Sequence, residues 1–179
     1  MSCLATRDDS IAHPRPYAGE MQNGLTHVDS HGEARMVDVS TKPVTARTAV
    51  ATGRVRTTAA VVALLRGDGL PKGDALAVAR IAGIAGAKRT PDLVPLCHPI
   101  ALHGVTVALA VVDDGVEITA TTRTADRTGV EMEALTAVMA AALTLVDMIK
   151  AVDRAATITD VRIEAKSGGR SGTWKRDDE

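Results

Sequence analysis

Asp147 and Lys150 lie three residues apart near the far end of the most apolar stretch of the chain, RTGVEMEALTAVMAAALTLVDMIK, from Arg127 to Lys150. On a helix that spacing places carboxylate and ammonium on one face, where the two could move a proton to and from a bound molecule. It would serve equally for an intrahelical ion pair at a wet helix end, with the lysine favoured by the helix dipole, and spacing alone leaves that plainer reading standing. A second group of candidates is cationic: Arg47, Lys72 in PKGD, Lys88 with Arg89, His98 in LCHP, and Lys166 with Arg170 in KSGGRSG. Loop lysines beside glycines can present both ammonium groups and backbone amides to phosphate, although a solvated lysine is the commoner case. KSGG lacks the spacing of a Walker phosphate loop, so nucleotide hydrolysis of that type is unsupported.

Cys97 beside His98 invites a metal or nucleophile reading. Zinc needs three or four ligands, and no paired Cys or His at ligand spacing supports Cys97, which leaves a buried inert thiol. His98 stands between prolines in a constrained loop that fixes where its ring points, and a structural hydrogen bond is its plain alternative. Glu131 and Glu133 lie about 200° apart on an ideal helix, so both facing one site requires an irregular first turn; otherwise they complement the dipole at the helix start.

The elements that must position these residues follow from periodicity. Residues Arg47 to Thr57 alternate, with Ala49, Ala51, Gly53 and Val55 on one side, which predicts a half-buried strand. Helical spacing runs from Thr58 to Arg66 and stops at Gly67 and Gly69. Asp74 is an N-cap for a helix to about Lys88 whose alanines and glycines let something pack close. Pro91, Pro95 and Pro99 make KRTPDLVPLCHP irregular. Val105 to Val111 and Val116 to Ala120 alternate around Asp113, Asp114 and Gly115, a hairpin. Thr128 and Glu131 have capping-box spacing, which starts the long helix at Thr128; its nearly all-apolar circumference implies burial on most sides. Met36, Val37 and Val39 suggest a short strand, and Ile158 to Ala165 a last one with a break near Asp160. The sum is an antiparallel sheet with helices on one face, an α+β fold.

At 179 residues the chain fits one domain, read as residues 24–166 between a disordered extension, 1–23, and a flexible Gly-rich charged tail, 167–179. A net charge of -1 carries no global basic field. Tyr17 and Trp174, near the two ends, are the only aromatics, which essentially excludes a base-stacking platform for nucleic acid, so no nucleic-acid partner is expected. A core of Ala, Val, Leu and Ile buries little area per side chain and points to oligomerisation. Two cysteines give no disulfide framework, which suits a cytoplasmic location. No apolar run reaches the roughly 18 residues of a membrane span, so none is expected.

MVDVS, KGDALAVARIAGIAGAKRTPDLVPLCHPI, TGVEMEALTAV, and VDMIKAV followed by AKSGGRSG, in this order, resemble the cyclic pyranopterin monophosphate synthase family, molybdenum-cofactor biosynthesis protein C. The resemblance runs from about Gly24 to Gly172. It implies a ferredoxin-like α+β domain, assembled as a hexamer of three dimers with active sites at subunit interfaces. The implied reaction converts 3',8-cyclo-7,8-dihydro-GTP to cyclic pyranopterin monophosphate with release of pyrophosphate. It assigns catalysis to Asp147 and Lys150. Arg47, Lys72, His98 and Lys166 fall around substrate and phosphates, and Leu96, Cys97, Glu131, Met132 and Glu133 in site-lining segments. Arg170 stands where the family usually has Lys and keeps the charge. No redox cofactor is required; a magnesium ion accompanying the phosphates is compatible with the reaction, and no carboxylate cluster demands it. On this reading Lys150→Ala and Asp147→Asn proteins that stay folded and assembled lose product formation, and a wild-type rate in a pyrophosphate-release assay would remove both from the mechanism.

Overall fold

The computed structural model describes residues 27–29, 31–67 and 74–177. The chain divides between Val37 and Asp38. Before the division, Val28 and Ala34 form an isolated antiparallel bridge around a turn at Gly32. Residues 35–39 join no ladder, so the strand expected around Met36, Val37 and Val39 does not form. The Arg35 amide donates to the His27 carbonyl at 2.8 Å, and a strand needs a run of such bonds along one neighbour.

From Asp38 onward the elements are β1 (Thr45–Arg56), α1 (Ala59–Arg66), α2 (Ala75–Ala87), α3 (Thr90–Leu93), β2 (Gly104–Val112), β3 (Gly115–Asp126), α4 (Glu131–Ile149), β4 (Thr157–Ser167) and β5 (Trp174–Lys175). The strands pair antiparallel in the order β2-β3-β1-β4-β5. The first four are a ferredoxin-like sheet, and the fifth is added to its edge by the tail. The fold is α+β, as expected.

Alternation decides the faces. In β1, Ala49, Ala51, Gly53 and Val55 are buried, and Val116, Ile118 and Ala120 of β3 are fully buried beside them. All project to the side covered by α4, which packs on β1, β3 and β4. The β2–β3 hairpin turns through Asp113 and Asp114, and Gly115 follows at φ +154 with Val55's carbonyl against the place a Cβ would take. In β4, Asp160 adopts φ +56 where the register slips against Thr52 and Arg54, the break visible in the sequence period. Asp74 caps α2 by accepting from the Ala77 amide at 2.9 Å. Pro91 sits in the first turn of the short helix α3, where its missing N–H costs nothing.

α4 starts at Glu131 and its N-cap is Val130, two residues later than the Thr128 cap that the capping-box spacing predicts, with no side-chain cap. Tertiary contacts replace the local one. The Thr122 hydroxyl of β3 donates to the Val130 carbonyl at 2.9 Å, and the Glu131 carboxylate turns away from the cap to Lys166 of β4 at 2.9 Å. At the other end Asp153 ties the exit of α4 to the start of α1, accepting from the Thr57 hydroxyl at 2.7 Å and the Thr58 amide at 3.1 Å. Those bonds, Thr57 foremost, hold its carboxyl below the usual carboxylate range.

α4 is also long and apolar enough, by length and composition, to cross a membrane, contrary to the expectation that no run reaches span length. Here it is a core helix, half of it buried, between the sheet and α2. α2 and α4 run antiparallel with backbones in near contact. A Cβ on Gly83 would stand 2.9 Å from the Ala137 carbonyl and 3.2 Å from the Ala141 methyl, and one on Gly86 would stand 2.5 Å from the Ala140 methyl. Alanine is favoured over glycine in a helix by about 1 kcal/mol, so Gly83→Ala with Gly86→Ala would stabilise two uncrowded sites. Crowding against α4 reverses the sign: we expect a net loss of about 1–3 kcal/mol in urea unfolding, and a gain would mean the helices have room to spare.

Candidate active site

Three of the expected residues meet at the first turn of α4. Arg47 on β1, Glu131 on α4 and Lys166 on β4 line one pocket with Thr48, Gly129 and Gly168. The register puts Ala49 opposite Lys166, so the lysine leaves the sheet on the helix side and meets Glu131. Arg47 donates from Nε to the Asp126 carbonyl at 2.9 Å, which sets its guanidinium against the loop after β4. That loop needs its glycines: Gly168 and Gly169 have φ of +92 and +71, and a Cβ on either would collide with the Ala46 carbonyl or the Arg47 guanidinium. Two cations, a turn of left-handed glycines and the amide end of a helix converge here, which is the chemistry of an anion site. The pocket encloses about 50 Å³, far less than the roughly 300–1,000 Å³ that surrounds a whole small molecule. It fits a phosphate group and leaves the rest of a ligand outside.

Glu133 points the other way from Glu131, as a regular helix requires, and is only 3% exposed. Burial raises its pKa to about 7; its own backbone amide opposes the shift and the Glu131 charge adds to it. The carboxyl can therefore give or take a proton near neutrality. Cys97 lies close enough for the Glu133 charge to add to the effect of burial, which pushes the thiol up from its ordinary value and favours the inert form. Leu96, Cys97 and His98 are half-buried after α3. His98 is near Asp38, whose carboxyl is held low first by hydrogen bonds from Ser40 and further by the imidazole. Met132 is 39% exposed beside the pocket.

Asp147 and Lys150 are not part of this cluster. Their side chains are both 59% exposed, with Nζ 2.5 Å from Oδ1, at the opposite end of α4. At 1.5 Å per residue the separation from Glu131 is about 24–28 Å. Lys72 lies outside the described residues. A larger cavity, about 370 Å³ between Arg54, Glu117, Thr119, Asp160 and Arg162, opens on the uncovered face of the sheet and takes none of the expected residues. Sequence reasoning missed Gly129, where a Cβ would push the Glu131 carboxylate out of its present place; the TGVE segment that carries it was the available signal.

These features define a ferredoxin-like α+β protein with a phosphate-sized anion pocket at the start of its central helix. The MoaC family pattern matches residues 36–169. The chain is 70% identical over 173 residues to the cyclic pyranopterin monophosphate synthase of Streptomyces coelicolor, covering 97% of this chain and 99% of that one. It is 61% identical over 160 residues to cyclic pyranopterin monophosphate synthase 2 of Mycobacterium tuberculosis (89% and 96%), and 60% identical over 150 residues to the Corynebacterium efficiens synthase (84% and 97%). The chain belongs to the MoaC family.

The Glu133 shift carries a stability consequence. Its pKa rises on folding from 4.5 to about 7, so the folded state binds the proton more tightly. Stability from this group is full below the unfolded value and falls as pH rises through that window, by at most about 1.4 kcal/mol per pH unit. Glu133→Gln should remove that part of the slope in urea unfolding at a series of pH values; an unchanged slope would place the group in a wetter site.

Proposed function

We propose that the protein converts 3',8-cyclo-7,8-dihydro-GTP to cyclic pyranopterin monophosphate and pyrophosphate, a lyase step of molybdenum-cofactor biosynthesis, in the cytoplasm. Family membership and the names of relatives that span nearly the whole chain support the reaction. The pocket at Arg47, Glu131 and Lys166 supports the handling of its phosphates. Closing the cyclic phosphate requires attack on the first phosphorus and departure of pyrophosphate, and the two cations stabilise the charge that develops there. Ring opening and reclosure move protons at several atoms, work suited to the hydrogen-bonded Asp147 and Lys150 and to Glu133 near neutrality. Among the described residues no three of His, Cys, Asp and Glu converge as metal ligands, and no step here is routed through a metal; a magnesium ion would travel with the phosphates.

The observation that carries the rest is the length of α4. Phosphate-binding and catalytic groups at its two ends cannot meet in one chain, so the site takes them from two. On a helical wheel Met132, Met139, Leu143 and Lys150 fall within about 40° of one another, with Asp147 just beside them. Met139 is 36% and Leu143 58% exposed, an apolar stripe without cover. Two copies crossing antiparallel near Met139 and Leu143 would bury it and set each Lys150 at the other's pocket. Such a pair is isologous and holds two sites; three pairs make the hexamer that the family resemblance implies.

Subunit complementation tests this. Lys166→Ala and Lys150→Ala proteins should each be inactive in the pterin-product assay. Unfolded together and reassembled, half of the pairs are mixed and hold one intact site each, which returns about a quarter of wild-type activity. No recovery in mixed assemblies verified by mass would mean that each site is built from one chain.

A further inference from the structure

We propose that Trp174 forms a wall of the substrate site, with its indole stacked on the bicyclic ring of the molecule whose phosphate occupies the Arg47, Glu131 and Lys166 pocket. The proposal rests on the functional reading above and extends it to a residue on the tail.

The sheet places the indole. Trp174 pairs directly with Lys166 across β4 and β5, so the two side chains leave the same face of the sheet, their Cβ atoms about 4.5–5.5 Å apart. That face is the one on which Lys166 reaches Glu131. The pocket has room for a phosphate group alone, about 50 Å³, and a ring attached to that phosphate must lie against the surface next to it. Trp174 is that surface on the β5 side. Arg176 fixes the ring's orientation: its guanidinium carbon sits 5.5 Å from the ring centroid, while its Nε donates to the Ile163 carbonyl at 3.0 Å and its amide to the Glu164 carbonyl at 2.8 Å.

The plain alternative is that Trp174 only closes the sheet edge. β5 is held there by backbone pairing, for which any side chain suffices, and edges are better finished with charged or short polar residues than with an indole 42% exposed. The chain has one Trp, one Tyr and no Phe, and it sets its largest flat apolar surface beside its anion pocket. Stacking on an aromatic tolerates any flat heterocycle, so one wall can serve both the purine-derived substrate and the rearranged product.

A single tryptophan makes the test direct, because indole emission reports this residue alone. GTP, a ring-bearing triphosphate, should change the emission and bind more tightly than inorganic triphosphate, which should bind by calorimetry without changing it. Trp174→Ala should weaken GTP binding and raise KM for the cyclised substrate about tenfold, within the range for loss of one base–aromatic stack. Its affinity for inorganic triphosphate should stay unchanged, and Trp174→Phe should restore most of the loss. The proposal is overturned if GTP binds no more tightly than inorganic triphosphate, if both ligands change the emission alike, or if Trp174→Ala weakens both equally. An emission response to GTP in a protein that forms no pterin product would instead overturn the catalytic reading and leave the stacking contact in place.

Discussion

The near contact of the α2 and α4 backbones is the constraint on which the rest depends. Gly83 and Gly86 face Ala137, Ala140 and Ala141 with no space for another methyl group, and this brings both helices down onto a sheet whose covered face sets Ala49, Ala51, Gly53 and Ala120 beside Val55, Val116 and Ile118. Small residues let the layers approach closely but bury little area each. The large side chains that a bulkier core would have absorbed are left on the outside of the helix layer, as Ile81, Met139 and Leu143. The same choice of residues therefore tightens the single chain and leaves exposed apolar side chains on the outside of its helix layer.

The fold was legible because one face of the sheet is buried. A period of two appears in β1, β2 and β3 wherever buried and open positions alternate, and even the bulge at Asp160 showed as a break in that period. The start of α4 was not legible from its own sequence. Thr128 and Glu131 have the right spacing for a local cap, but Thr122 and Lys166, distant in sequence, claim Val130 and Glu131 instead. The site divides in the same way. Each of its segments could be picked out as a motif, while the meeting of Arg47, Glu131 and Lys166 depends on strand register. The separation of Asp147 and Lys150 from them follows from helix length. Trp174 gave one signal only, its solitude.

Two carboxylates two residues apart have come to differ because the first turn of α4 is regular. Glu131 faces the sheet and a lysine, where an ionised carboxylate is satisfied. Glu133 faces the packed interior near Cys97, where burial favours the protonated form. Lys166 is paired with the Glu131 carboxylate at 2.9 Å, so the cationic pocket carries an anion of its own.

α4 also acts as a ruler. Within one chain the distance from the pocket to Lys150 is set by the number of α4 residues between them. One residue inserted or removed would turn everything beyond it by about 100° and shift it by about 1.5 Å. Lys150 would leave the stripe that Met139 and Leu143 mark on the helix. The loops of such a protein are free to vary in length over time, whereas the interval from Glu131 to Lys150 is not.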